Sequence, residues 1–205
     1  MQPEISIEKH QGVFVVRDDL LAGGSKRALL PYIATGNDHF VYASPVYGGF
    51  QIALAAYCQE VGATATIFCA KRKHRHANTK SALAKGAVIK EVSPGYLSVV
   101  EKRAKQFAAI TGATKIQFGA KSAQNKRLLK QRVAKALHKL GEEPQEIWCV
   151  IGSGLLVESI LAATTKAKIC GVQVGAQYKQ RHPRLNLFQY HTSFDKPSKV
   201  AAPFQ

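Results

Sequence analysis

Acidic residues are scarce in this chain of 205 residues: 13 Asp and Glu stand against 29 Lys and Arg, giving a formal charge of +16. Tryptophan and methionine occur once each. The four cysteines, Cys58, Cys69, Cys149 and Cys170, lie far apart in apolar stretches. With no CxxC pair and no dense spacing, neither a metal clamp nor a disulfide framework is indicated, and the four read as core thiols. The histidines show no HExxH or related ligand spacing, and His74 and His76, inside a basic run, read as solvated. Long apolar runs are missing too, since none reaches the roughly 18 to 20 residues that span a bilayer. The first residues have neither a basic n-region nor an apolar h-region. The expectation is a soluble, cytoplasmic protein with no membrane partner and no metal.

What is present is ordinary globular composition, 46% hydrophobic and 20% charged, over a length suited to one large domain or two small joined ones. Short runs rich in Val, Ile and aromatics predict strands at 13–16, 39–43, 64–69, 87–92, 115–118, 146–151 and 168–172. Longer patterns between them predict helices at 51–61, 78–85, 96–111, 122–140 and 155–164. The last but one starts at Ser122, a good N-cap. It sets Leu129, Val133, Ala136, Leu137 and Leu140 on one face, with Lys126, Arg127, Lys130, Arg132 and Lys135 largely elsewhere. Repeated strand-helix alternation predicts an α/β fold with parallel-rich sheets flanked by helices, whose ligands lie at the carboxyl ends of strands. After Gly175 the period is lost and Pro183, Pro197 and Pro203 follow, so mostly irregular structure is expected there.

The positive charge is concentrated. Between Lys71 and Lys139 lie 18 of the basic residues and only two acids, Glu91 and Glu101, while the remainder is neutral. The densest part is Lys71-Arg72-Lys73-His74-Arg75-His76. Such a run reads either as a solvated face that confers solubility or as a surface for nucleic acid or another polyanion. For the second reading the candidates are Lys71, Arg72, Lys73, Arg75, Lys126, Arg127 and Lys130.

Three segments carry candidate chemistry. Residues 146–160 run as a buried strand into Gly152-Ser153-Gly154 and then a helix. Glycines there let backbone N–H groups approach an anion at a helix N-terminus, although a tight joining turn needs the same residues. Neither the P-loop pattern nor a full GxGxxG is present. In residues 17–30, Lys26 follows Gly23-Gly24-Ser25 at a helix start. Cations are disfavoured there, and that placement or burial would lower its pKa toward the neutral amine that Schiff-base chemistry requires; a surface lysine is the alternative. Residues 42–56 take a strand through Ser44, Tyr47, Gly48, Gly49 and Gln51 into an alanine-rich helix, as a ligand-closing loop or as close helix-to-sheet packing.

In order and spacing, these segments resemble the fold type II pyridoxal-phosphate enzymes, the superfamily of tryptophan synthase β, cysteine synthase and aminocyclopropane carboxylate deaminase. The resemblance runs from about Arg17 to Gly175 and includes Lys168 to Gln173 as the strand after the glycine turn. It implies a two-lobed chain, 1–35 and 113–205 forming a larger cofactor-holding lobe around an inserted lobe at 36–112. It implies pyridoxal 5'-phosphate as cofactor, with Lys26 binding it covalently and carrying a proton at the substrate Cα. Gly152, Ser153, Gly154 and Leu155 would hold the phosphate; Ser44, Gly48, Gly49 and Gln51 would face the substrate carboxylate or ring edge. Tyr47 stands where the family places an asparagine beside the cofactor. The chain is also shorter than typical members, and Thr192, Ser193 or Ser198 would have to replace the hydroxyl that usually faces the pyridine nitrogen.

The expected activity is elimination, replacement or decarboxylation on an amino-acid-like group. The charge surplus suggests that this group is attached to a polyanion, such as a hypermodified base in DNA. Two alternatives stand beside it: a catalytically inactive nucleic-acid-binding protein on the same scaffold, and a metabolic lyase acting on free amino acids. A homodimer is the expected assembly.

Overall fold

The computed structural model describes residues 3–190 apart from residues 94, 121, 175 and 176. The described residues fall into two compact units, the first ending at residue 120 and the second beginning after it.

The first unit opens with an antiparallel hairpin, β1 (Ile7–His10) and β2 (Val13–Val16). Two 3-10 turns follow, Asp18–Leu20 and Ser25–Leu29, the second leading into a single turn of helix, α1 (Leu30–Ile33). The chain then alternates strand and helix: β3 (His39–Ala43), α2 (Phe50–Val61), β4 (Thr64–Ala70), α3 (Ala77–Ala84), β5 (Val88–Val92), α4 (Leu97–Thr111) and β6 (Thr114–Ile116). These strands form one parallel sheet in the order β5-β4-β3-β6. β3 and β4 lie inside it and are buried almost throughout, as continuous apolar runs such as Phe-Val-Tyr-Ala require when both sheet faces are covered. α4 lays Val100 and Ala104 against Val41, Ala43 and Phe68 of that sheet.

The strand order has a consequence for ligands. From β3 the chain steps outward through β4 to β5, and α4 then returns it to the other side of β3, where β6 pairs Ile116 with Tyr42. The carboxyl ends of β3 and β6 therefore diverge at a topological switch point, where open parallel sheets leave a crevice. The loop after β3, Ser44 to Gly49, and the turn after β6, Gln117 to Ala120, border that point.

The second unit contains α5 (Ala123–Leu140), β7 (Glu146–Ile151), α6 (Leu155–Ala163), β8 (Lys168–Gln173) and β9 (Leu185–Gln189), the strands forming a parallel sheet in that order. Ile151 and Ile169 of the sheet pack with Val157 and Ile160 of α6. The Ser122 hydroxyl accepts a hydrogen bond from the Asn125 N–H at 3.1 Å, the cap expected for α5. Two expectations need correction. Arg132 is buried rather than part of the basic outside, because its position shares the core-facing side with Leu128, Leu129 and Ala136. β9 is a strand within the stretch expected to be irregular; its alternating Leu185 and Leu187 carried that period, and β8 supplies the ladder. Thr192, Ser193 and Ser198 lie outside the described residues. Among the described residues, no helix is long and apolar enough to cross a membrane.

Candidate functional site

Lys26 is placed by what surrounds it in sequence. Gly23 and Gly24 both adopt positive φ, +84° and +82°, turning the chain sharply before the 3-10 segment. Gly23 presses on α2: a Cβ there would lie 2.5 Å from the Ala53 nitrogen, so only glycine fits. On the other side Arg27 is buried, pairs its guanidinium with Glu60 of α2 and lies over the Tyr57 ring at 5.0 Å. Ala28, Leu29 and Leu30 are fully buried. Lys26 is thus fixed between a glycine hinge and an anchored arginine.

Its side chain turns inward. The Nζ donates to the Gly119 carbonyl at 2.9 Å, in the turn after β6. Burial lowers the amine's pKa from 10.5 to about 8, so the neutral form is accessible near physiological pH. A neutral primary amine is the nucleophile that condenses with an aldehyde. The expected helix-start placement is present, and burial is the cause that acts.

The loop between β3 and α2 reaches the same neighbourhood. Gly49 approaches the Gly23 carbonyl, a Cβ there lying 3.8 Å from it. Gly48 is wedged against Ser44 and Pro45, with 2.8 Å between a built Cβ and the Ser44 hydroxyl oxygen. Ser44 and Gln51 are buried and hold the loop itself: the Ser44 hydroxyl donates to the Pro45 carbonyl at 2.8 Å, and the Gln51 amide donates to the Val46 carbonyl at 3.1 Å. What this loop offers a ligand is backbone. The N–H groups of Tyr47, Gly49 and Phe50 have no protein acceptor among the described residues. They stand at the N-terminus of a 12-residue helix, where a carboxylate is favoured.

Tyr47 is exposed and meets the His76 ring edge-on at 5.1 Å, while its carbonyl accepts from the Asn78 amide at 3.0 Å. His76 in turn caps α3, its Nδ1 accepting from the Asn78 N–H. The basic run therefore ends on the site loop. It begins at the carboxyl end of β4, so it shares the sheet edge with the loops after β3 and β6. Lys71, Arg72 and Lys73 are exposed; Arg75 makes a two-pronged pair with Glu91 at 3.0 and 3.1 Å.

In the second unit the Gly152–Gly154 turn joins β7 to α6 as expected. Gly154 caps the helix at φ +86°, with the Tyr178 ring 2.5 Å from where its Cβ would be. Gly152 faces open space. The N–H groups of Gly154 and Leu155 have no protein acceptor among the described residues. A buried carboxylate, Glu158, occupies the first turn of α6 and pairs with Lys126 at 3.3 Å. Glu158 and Tyr178 also line a cavity of about 260 Å³ with Lys126, Arg181 and His182. Arg127 and Lys130 are exposed.

Taken separately, the half-buried amine beside the glycine hinges of the first unit has the chemistry to take an aldehyde, and the N–H groups of Gly154 and Leu155 in the second unit have the chemistry to take an anion such as a phosphate. Three features escaped sequence reasoning: the Gln117–Ala120 turn, Tyr42 beneath it and the Glu158–Lys126 pair. Gly119 after a predicted strand was the one available signal for the first.

No protein-family model and no curated protein matches the sequence. Solved structures do match in fold. An ACC deaminase homologue superposes with a TM-score of 0.71 at 16% identity, over 86% of this chain and 66% of that one. An O-acetylserine-dependent cystathionine β-synthase from Helicobacter pylori gives 0.64 at 16% identity, over 83% and 62%. Maize serine racemase gives 0.63 at 18% identity, over 77% and 50%. The chain spans one half to two thirds of the length of these proteins. Their shared architecture is the one that the Arg17 to Gly175 motifs anticipated, and the chain has the fold of the fold type II pyridoxal-phosphate enzymes.

Proposed function

We propose that this chain is a compact pyridoxal-phosphate-dependent enzyme of lyase or transferase type, acting by elimination, replacement or decarboxylation on an amino-acid-like group. The observation that carries the reading is Lys26, a half-buried amine with its pKa brought to about 8 at the switch point of a parallel sheet. The Lys26 amine would hold the cofactor and, once free, would carry a proton to or from the substrate Cα. The cofactor supplies the electron sink for the bond that breaks. The backbone N–H groups of Gly152 to Leu155, with the Ser153 hydroxyl, hold the phosphate. N–H groups around Gly48 and Gly49 receive the substrate carboxylate, Ser44 and Gln51 keep that loop in shape, and Tyr47 borders the ring. In this reading residues 1–35 and 113–205 make the cofactor-holding lobe, and the working assembly is a homodimer.

The substrate amine is attached to a polyanion, for which a modified base in DNA is the example. Support comes from the exposed Lys71, Arg72 and Lys73, which leave the same sheet edge as the site loop and reach it through His76 and Tyr47. Arg75, held by Glu91, and in the second unit Arg127, Lys130 and the Glu158-paired Lys126 are the further cations that this reading assigns to the polyanion. Phosphate contacts release counterions, so binding to a DNA duplex weakens steeply between low and moderate salt. Salt-independent binding removes the polyanion and leaves the cofactor reading standing; turnover of free amino acids without nucleic acid identifies a metabolic lyase instead. The test of the whole is direct. Protein mixed with pyridoxal phosphate gains a visible absorbance band that Lys26→Ala abolishes; protein that stays colourless is a binding module on this scaffold.

A further inference from the structure

The turn that receives Lys26 is unusual in its backbone. Gly119 and Ala120 are consecutive left-handed residues, φ +69° and +52°, and Ala120 is buried. An L-residue in that region costs about 1–2 kcal/mol, and such conformations persist where surroundings over-determine them. Here the surroundings are specific. Tyr42 is 2% exposed, packs edge-on to Phe50 at 4.8 Å and lies beneath the turn in register with Ile116. The Gly119 N–H faces the Tyr42 hydroxyl closely enough to favour its ionised form, although burial dominates and raises that pKa to about 12. The hydroxyl therefore stays protonated, and its oxygen remains available to the N–H. One residue, Gly119, thus turns its N–H toward Tyr42 and its carbonyl toward the Lys26 amine.

We infer that the Gly119–Ala120 turn is a dock that holds the Lys26 amine inside the protein, and that Tyr42 is the positioning residue that sets the dock. The inference rests on the reading of Lys26 as the cofactor-binding amine. It adds that the left-handed backbone aims the Gly119 carbonyl at Nζ, so that the unloaded lysine waits at the switch point rather than in solvent. Among the described residues, the titratable groups tied to the turn include Tyr42 of β3 and Glu101 of α4, which acts on Tyr42 through space. Neither shifts Lys26, whose amine responds to burial.

Competitive acetylation of the full chain across pH, with peptide mapping, reads the Lys26 midpoint without any cofactor. The wild type should titrate near 8. Tyr42→Phe frees the turn, lets the amine reach water and raises the midpoint by about one unit, read as roughly a five-fold fall in labelling at pH 8. Gly119→Ala, which disfavours positive φ, moves it in the same direction and stands in if Tyr42→Phe folds poorly. Ala120→Gly keeps the turn and leaves the midpoint unchanged. A midpoint that stays or falls in both Tyr42→Phe and Gly119→Ala overturns the dock. Borohydride trapping of pyridoxal phosphate on the same samples separates the two claims: a docked Lys26 that takes no label refutes the cofactor reading alone, and a labelled Lys26 indifferent to Tyr42 refutes the dock alone.

Discussion

Two strand-to-helix turns in this molecule are built alike and charged differently. Each follows the buried end of a parallel strand, contains two glycines and opens a helix, α2 after β3 and α6 after β7. α2 has no acid in its first turn, and its loop touches the Gly23 backbone of the Lys26 segment. α6 carries Glu158 in its first turn, already paired with Lys126, and its Gly154 is pinned by Tyr178. Helix N-termini attract anions through unsatisfied N–H groups and the macrodipole, and a resident carboxylate uses part of that field. On the proposed reading, the first turn would take an external carboxylate unopposed, whereas at the second a phosphate would share the field with Glu158.

The largest expected effect that sharpens this contrast concerns the hinge beside α2. Gly23→Ala combines a left-handed Cβ with a 2.5 Å clash against backbone, and should destabilise the protein by about 3–4 kcal/mol. Gly24→Ala meets nothing within 4 Å, but its φ +82°, ψ −167° backbone is one that essentially only glycine adopts, so it should cost about 1–3 kcal/mol from backbone strain alone, without the clash. Urea denaturation of the pair checks it; equal effects would mean that Ala53 packing does not constrain the hinge.

Next in size is a pH effect. The Lys26 pKa is lowered on folding, so between about 8 and 10.5 the unfolded chain holds a proton that the folded chain has released. Stability therefore rises with pH through that window and is flat below it. Relative to Lys26→Met, the wild type should gain roughly 2–3 kcal/mol between pH 7.5 and pH 10.5. A parallel pair of curves would place the amine in water.

The smallest effect addresses α6 itself. Glu158→Gln removes the competing charge and leaves Lys126 available, so inorganic phosphate should bind about two- to five-fold tighter. Calorimetry or phosphorus NMR reads the change, and weaker binding would mean that Glu158 organises the turn instead of opposing the anion.

Much of this was legible in the chain. Phe40 to Ala43 and Thr66 to Ala70 announce central strands by unbroken apolar runs, and Ser122 marks the start of α5 by a cap that the structure retains. Lys26 stood out because its two glycines and serine precede an apolar segment. Other features depend on contacts between distant residues. Arg132 looks like a surface cation until its helix is packed, and nothing local tells that Tyr42 lies under Gly119. Glu158 looks like an ordinary first-turn acid until Lys126 is found beside it. Periodicity reports which face is apolar, whereas a site at a switch point is assembled by strand order, which only the folded chain fixes.

The central claim is that the amine of residue 26 captures an aldehyde. Incubating the protein with pyridoxal phosphate, reducing with borohydride and mapping the modified peptide tests it most directly. The account predicts stoichiometric label on Lys26 and none on Lys71 or Lys73; label spread over the exposed lysines, with Lys26 unmodified, would contradict it.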